Sequence, residues 1–154
     1  MLRSFRISGS GMTAQRLRMD VIANNVANAQ TTRTPAGGPY RRQAVVFVPA
    51  SVPPAPETGE TRLVSLTRHL YRQGDPESSG VEVAYITADR RAPRRVYEPN
   101  HPDADADGFV NYPNVDIVTE ITDMLAATRA YEANVTAFNA AKAMALRALE
   151  LGRI

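Results

Sequence analysis

Apolar residues recur at seven-residue intervals at both ends of the chain. Near the start Phe5, Met12, Met19 and Val26, joined by Ile22, form one stripe at helical spacing, and Ile7, Ala14, Leu17 and Val21 form a second on another side of the same helix. An ordinary surface helix buries one face, so two stripes predict neighbours on two sides. Near the end Ile117, Met124, Tyr131, Phe138 and Ala145 recur at seven, with Ile121, Thr128, Val135, Lys142 and Leu149 beside them and Val118, Leu125 and Leu146 widening the face. This heptad-like pattern predicts a helix of roughly 50 Å from Ile117 to Leu151, with Asn114 or Asp116 as N-cap and Gly152 as stop.

Proline reinforces the partition. All eleven prolines lie between Pro35 and Pro113, and proline inside a helix removes a donor and clashes with the preceding turn. Long helices are therefore expected in residues 1–32 and 114–154, with a middle segment, 33–113, of a different kind. The first helix is expected to fray through Asn24-Asn25-Val26-Ala27-Asn28, and Gly9 and Gly11 weaken its opening turns by roughly 1 kcal/mol each relative to alanine. In the middle, Tyr40 to Val48, Val81 to Thr87 and Arg95 to Glu98 carry the β-branched and aromatic residues of short strands, and Leu63 to Tyr71 alternates weakly. Pro49 to Arg62, with four prolines, predicts a loop, and 49–80 as a whole a partly flexible stretch. The expected fold is mainly α with a small β-rich appendage: long terminal helices paired as a coiled-coil-like hairpin around an irregular β middle.

Composition changes this picture mostly by exclusion. The 154 residues hold no cysteine and two histidines, which removes disulfide frameworks, thiolate metal sites and thiol nucleophiles. The net charge of +2 is spread without a polycationic segment, so no nucleic-acid partner is expected. The first residues lack the apolar core of a cleaved secretion signal, and no stretch of about 18 apolar residues predicts a membrane span.

Two motifs invite a chemical reading. Asp103-Ala-Asp-Ala-Asp-Gly-Phe-Val matches the first eight positions of a calcium-binding EF-hand loop, which makes a calcium-binding module one alternative function, an unrelated helical-hairpin oligomer being the other. Against calcium binding, position 12 is Asn114 where a bidentate glutamate is needed, and His101-Pro102 cannot form the incoming helix. Arg90-Arg-Ala-Pro-Arg-Arg95 is the densest basic cluster, but Glu82, Asp89, Glu98 and the aspartates of 103–107 offset it. No nucleophile motif, phosphate-cradling glycine loop or paired-histidine helix occurs, so neither enzymatic activity nor a cofactor is expected.

The ends carry a more specific signal. Ser10-Gly-Met-Thr-Ala-Gln-Arg-Leu-Arg-Met-Asp-Val-Ile-Ala-Asn-Asn-Val-Ala-Asn-Ala-Gln-Thr-Thr-Arg-Thr, followed by Gly37-Gly-Pro-Tyr-Arg-Arg, resembles the N-terminal signature of bacterial flagellar rod proteins. Tyr97-Glu-Pro-Asn-His-Pro-Asp-Ala-Asp, Gly108-Phe-Val-Asn-Tyr-Pro-Asn-Val-Asp and Thr128-Arg-Ala-Tyr-Glu-Ala-Asn-Val continue the likeness in the same order, to the proximal-rod branch of that family. The resemblance implies a structural subunit that assembles helically, transmits motor torque across the periplasm and lines an export channel. It also implies export by the flagellar type III apparatus without a cleaved signal, and as partners further copies, other rod proteins and the adjoining ring and adaptor protein. The expected assembly interface is Phe5, Met12, Leu17, Met19, Ile22 and Val26 with Ile121, Met124, Leu125, Tyr131, Val135, Phe138, Leu146 and Leu149. Asn24, Asn25 and Asn28 are expected to add hydrogen bonds to it.

Overall fold

The computed structural model describes residues 2–50 and 80–151. Helix α1 runs Leu2–Ala27, strands β1 Gln43–Pro49, β2 Val81–Ala88, β3 Arg94–Tyr97 and β4 Phe109–Tyr112 follow, and helix α2 spans Ile117–Leu151. The weak strand expected at Leu63 to Tyr71, and most of the proline-rich loop, lie outside the described residues.

The two helices pack antiparallel. Phe5 meets Phe138 edge to face with ring centroids 4.9 Å apart, the Thr128 hydroxyl, which donates to the Met124 carbonyl at 2.9 Å, lies 3.4 Å from the Met19 sulfur, and Asn25 bonds Glu120. Small residues are buried along both helices: Ser8, Gly11 and Ala14 on α1, Ala127 and, just beyond Phe138, Ala141 on α2. Gly11 makes room for Asn134 here: a Cβ at that position would stand 2.7 Å from Asn134 Oδ1 and the amide would have to shift. The buried face of α1 thus takes Ala14 and Val21 from one predicted stripe and Ile22 from the other. The helices differ in length, 26 against 35 residues. Ala141 is the last buried residue of α2, and the remainder projects beyond the start of α1 for about 15 Å, with Met144, Leu146, Leu149 and Leu151 exposed.

Helix ends follow local chemistry. Asp116 caps α2: its Oδ1 accepts from the Val118 N–H at 3.1 Å and its Oδ2 from the Thr119 hydroxyl at 2.8 Å, and its carbonyl takes the Glu120 N–H. At the end of α1 the Asn28 amide donates to the Asn24 carbonyl and to Asn24 Oδ1, both at 2.9 Å, which closes the helix at Ala27, five residues short of the segment expected to hold it.

Strands β1 and β2 form a two-stranded antiparallel ribbon with a bulge between Val46 and Phe47. The ribbon lies along α1, and helix side chains satisfy backbone groups on its outer edges. The Asp89 N–H bonds the Arg42 carbonyl, so alternation turns the N–H and C=O of Gln43 away from β2 and toward Asn25. At the other end the Ala50 N–H bonds the Gly80 carbonyl, the Val81 N–H faces outward onto Ser10 Oγ at 3.1 Å, and the nitrogen of Pro49 also faces outward. Pro49 therefore ends a strand at no hydrogen-bond cost, although the sequence places it in a loop.

Strands β3 and β4 make a second, shorter hairpin whose Val110 is fully buried. Phe109 is sandwiched between Tyr97, with centroids at 5.3 Å, and the Arg95 guanidinium 4.6 Å above its ring. Thr32 ties this hairpin to the chain leaving α1 by donating to Asp103 Oδ2 at 2.7 Å. Among the described residues the architecture is two long helices with a small middle of two two-stranded antiparallel sheets.

Candidate assembly surface and the polar node beneath it

The expected interface residues divide into three groups. Ile22 and Asn25 are buried within the chain. Phe5, Met12, Leu17, Met19, Val26 and Asn28, with Met124, Tyr131, Val135 and Phe138, are half-buried, and of these Phe5 and Phe138 meet across the helix pair. Ile121, Leu125, Leu146 and Leu149 stand 52 to 70% exposed, and Asn24 is also exposed. The exposed apolar residues of α2 fall into two clusters, Ile117, Val118, Ile121 and Leu125 at one end and the projecting Met144, Leu146, Leu149 and Leu151 at the other. Exposed Glu132, Thr136 and Asn139 lie between them.

Asn25 does not offer its amide to a neighbour. Fully buried, its Nδ2 donates to the Gln43 carbonyl at 2.8 Å and to Glu120 Oε2 at 2.9 Å, while its Oδ1 accepts from the Gln43 N–H at 2.8 Å and the Tyr40 hydroxyl at 2.9 Å. The carboxamide acts as a peptide group added to the edge of β1. Any hydrogen bonds from this asparagine run to other subunits would have to come from Asn24, which donates to the Tyr40 hydroxyl at 3.3 Å, or from Asn28.

Around Asn25 lies a polar node that the hydrophobic pattern does not announce. Glu120, in the first turn of α2, is fully buried; its Oε1 pairs with Arg42 Nε. Arg42 reaches on to Asp123 at 3.4 Å, whose other oxygen takes Arg18 of α1 at 3.1 Å. A buried carboxylate is costly unless paired and hydrogen-bonded, and here both oxygens have partners. Burial raises the Tyr40 pKa, and the negative charge of Glu120 adds to it. One node thus ties together α1 (Arg18, Asn25), the approach to β1 (Tyr40, Arg42), β1 itself (Gln43) and α2 (Glu120, Asp123). From sequence, Glu120 reads only as a charge suited to a helix N-terminus; its burial depends on Arg42, 78 residues away.

The aspartate loop is consumed by its own turn. Asp105 Oδ1 accepts from the N–H groups of Asp107 at 3.1 Å and Phe109 at 2.8 Å, its Oδ2 pairs with Arg95 at 2.7 Å, and Asp103 accepts from Thr32. Among the described residues no three His, Cys, Asp or Glu side chains are grouped to hold a metal ion, so the calcium alternative has no support. In the basic cluster Arg91 pairs with Asp89, and Arg94 lies 5.7 Å from the Tyr112 ring centroid. No described helix is long and apolar enough to cross a membrane.

Comparison with known proteins gives this architecture its class. Residues 5–33 match the family model of flagella basal body rod proteins, and residues 106–151 that of the C-terminal region of flagellar basal body rod FlgEFG proteins. Both long helices therefore belong to segments typical of flagellar rod subunits. Over the whole chain, the flagellar basal-body rod protein FlgC of Borreliella burgdorferi is 41% identical across 160 residues, covering 96% of this chain and 95% of the relative. FlgC of Bacillus subtilis is 42% identical, covering 97% of each, and FlgC of Salmonella typhimurium is 37% identical, covering 99% and 98%. The chain belongs to the FlgC family of flagellar basal-body rod proteins. It is a structural rod subunit and not an enzyme.

Proposed function

We propose that the chain forms part of the proximal rod, where its helix pair stacks laterally and axially on neighbouring subunits as a coiled-coil-like layer. In that layer the subunits transmit motor torque across the periplasm and together line the export channel. The observation that carries the reading is the pair of exposed apolar clusters on α2, which a lone subunit leaves in water and a helical stack would cover. Ile121, Leu125, Leu146 and Leu149 supply the outer contact; Met12, Leu17, Met19, Val26 and Asn24, together with the remaining half-buried residues, extend it. Ile22 and Asn25 act from inside, by fixing the shape of the pair. The three segments 1–32, 33–113 and 114–154 then serve as two halves of a helical rod domain around a β-rich middle that faces other partners. Those partners are further copies, other rod proteins and the ring and adaptor at the base. During secretion the chain is a substrate of the flagellar type III apparatus, made in the cytoplasm and exported through it.

The test is an in-frame deletion in the source bacterium, followed by electron microscopy of purified basal bodies with motility scored in parallel. Rings without a rod in non-motile cells, rescued by the intact gene, are expected. Complete rods in swimming cells would overturn the assignment.

A further inference from the structure

The two family models cover residues 5–33 and 106–151, and the polar node draws one corner from each: Arg18 and Asn25 from the first, Glu120 and Asp123 from the second. Its remaining corner, Tyr40, Arg42 and Gln43, lies between the matched segments, at the point where the chain enters the β1–β2 ribbon. We infer that Arg42 is a positioning residue that keys the ribbon to the helix pair, fixing the angle at which the middle of this subunit leaves the helices common to rod proteins. The inference rests on the rod-subunit reading for its consequence, the choice of neighbour, but not for its geometry.

Three features single out Arg42. It is the cation that bonds Glu120, so one guanidinium neutralises a carboxylate that has no access to water. It bridges Glu120 and Asp123, one turn apart on α2, and a planar fork holding two points on a helix fixes direction as well as distance. Its own backbone carbonyl accepts the Asp89 N–H where the ribbon leaves β2, so the side chain acts on the ribbon through the shortest covalent path. The helix pair has independent support in Phe5 against Phe138 and in the close approach of Gly11 to Asn134, so the key can fail while the pair persists.

The absence of cysteine makes the test clean. In the full-length chain, nitroxide labels are placed at Ala133→Cys on α2 and Thr87→Cys on β2, both exposed, and their distance distribution is read by pulsed electron resonance alongside helix content by circular dichroism. The labelled parent should give one narrow distribution. Arg42→Met should at least double its width with helix content unchanged, and Arg42→Lys, which keeps the charge but not the fork, should fall between. Because Arg42→Met strands the buried carboxylate, the pair Arg42→Met with Glu120→Met is measured too. That double variant should keep its helices and still show the broad distribution. A narrow distribution in the double variant, or loss of helices in it, would overturn the inference. An unchanged distribution in a strain whose rods fail to assemble would also overturn it, leaving the rod reading intact. A broad one in a strain with normal rods would do the reverse: the geometric key would stand and its consequence for assembly would fall.

Discussion

Replacing Asn25 by alanine should destabilise the chain far more than a surface asparagine at a helix end would. The side chain makes four hydrogen bonds, to the N–H and C=O of Gln43, to Glu120 and from Tyr40. Tyr40 and Gln43 are both half-buried, so Glu120 Oε2 is the partner left wholly stranded and the Gln43 N–H and C=O are stranded in part. An unpaired buried polar group costs about 1–3 kcal/mol, so the stranded Glu120 oxygen together with the partial cost at Gln43 puts the loss at about 3 kcal/mol, roughly a hundredfold in the folded-to-unfolded ratio. At a urea slope of about 2 kcal/mol/M the unfolding midpoint should fall by about 1.5 M. Asn25→Leu separates the causes. It fills the same space but donates and accepts nothing, so if orphaned polar groups are the cost it should match the alanine variant, and if a cavity is the cost it should lie close to the parent. Hydrogen exchange at the Gln43 amide should accelerate in both variants. A loss below 1 kcal/mol for Asn25→Ala would refute the peptide-mimic reading of this residue.

Gly11→Ala would gain about 1 kcal/mol of helix propensity in isolation, but its Cβ displaces Asn134, whose Nδ2 is committed to the Ala130 carbonyl at 2.8 Å. A net loss is expected in urea unfolding, and adding Asn134→Ala should restore stability, so the two changes will be non-additive. Leu146→Ser with Leu149→Ser should leave the unfolding midpoint of the monomer within about 0.5 kcal/mol of the parent, because both side chains are exposed, yet abolish swarming; normal swarming would remove the overhang from the assembly surface. Three aspartates titrate below the usual carboxylate range: Asp89 through the Arg91 guanidinium, Asp105 through the Phe109 N–H and Asp116 through the Thr119 hydroxyl. Because their folded values are depressed, their contribution is complete above about pH 4 and is lost as pH falls through those values. The thermal midpoint should therefore be flat from neutrality to about pH 5 and decline below 4, with a shallower decline in Asp105→Asn.

The long helices were legible because proline and the seven-residue repeat both act locally, and α2 follows its expected limits, Ile117 to Leu151. The β segments at Tyr40 to Val48, Val81 to Thr87 and Arg95 to Glu98 were legible within a few residues, since β-branched runs bounded by glycine and proline have few alternatives. What stayed hidden was which positions face inward. Ser8, Gly11, Ala127 and Ala141 are buried small residues whose value is close approach and which no predicted stripe marks; of the small buried residues only Ala14 lies on one. Asn25 and Glu120 were hidden for a different reason. Each is polar and would be unfavourable inside alone, and the partners that reverse this, Gln43 and Arg42, come from a part of the chain that periodicity cannot align with either helix.

The unequal lengths of the two helices give the subunit a direction. One end of the pair carries the projecting, apolar last turns of α2, while the other ends level at Asn25 and Glu120. When copies add in a single sense, the projection of one meets a different surface on the next, so the contact is heterologous, the kind that builds an open filament wherever its rotation does not close into a ring. A filament grown in this way has distinguishable ends, and a subunit arriving the wrong way round meets an apolar tip with an apolar tip and leaves the receiving surface bare.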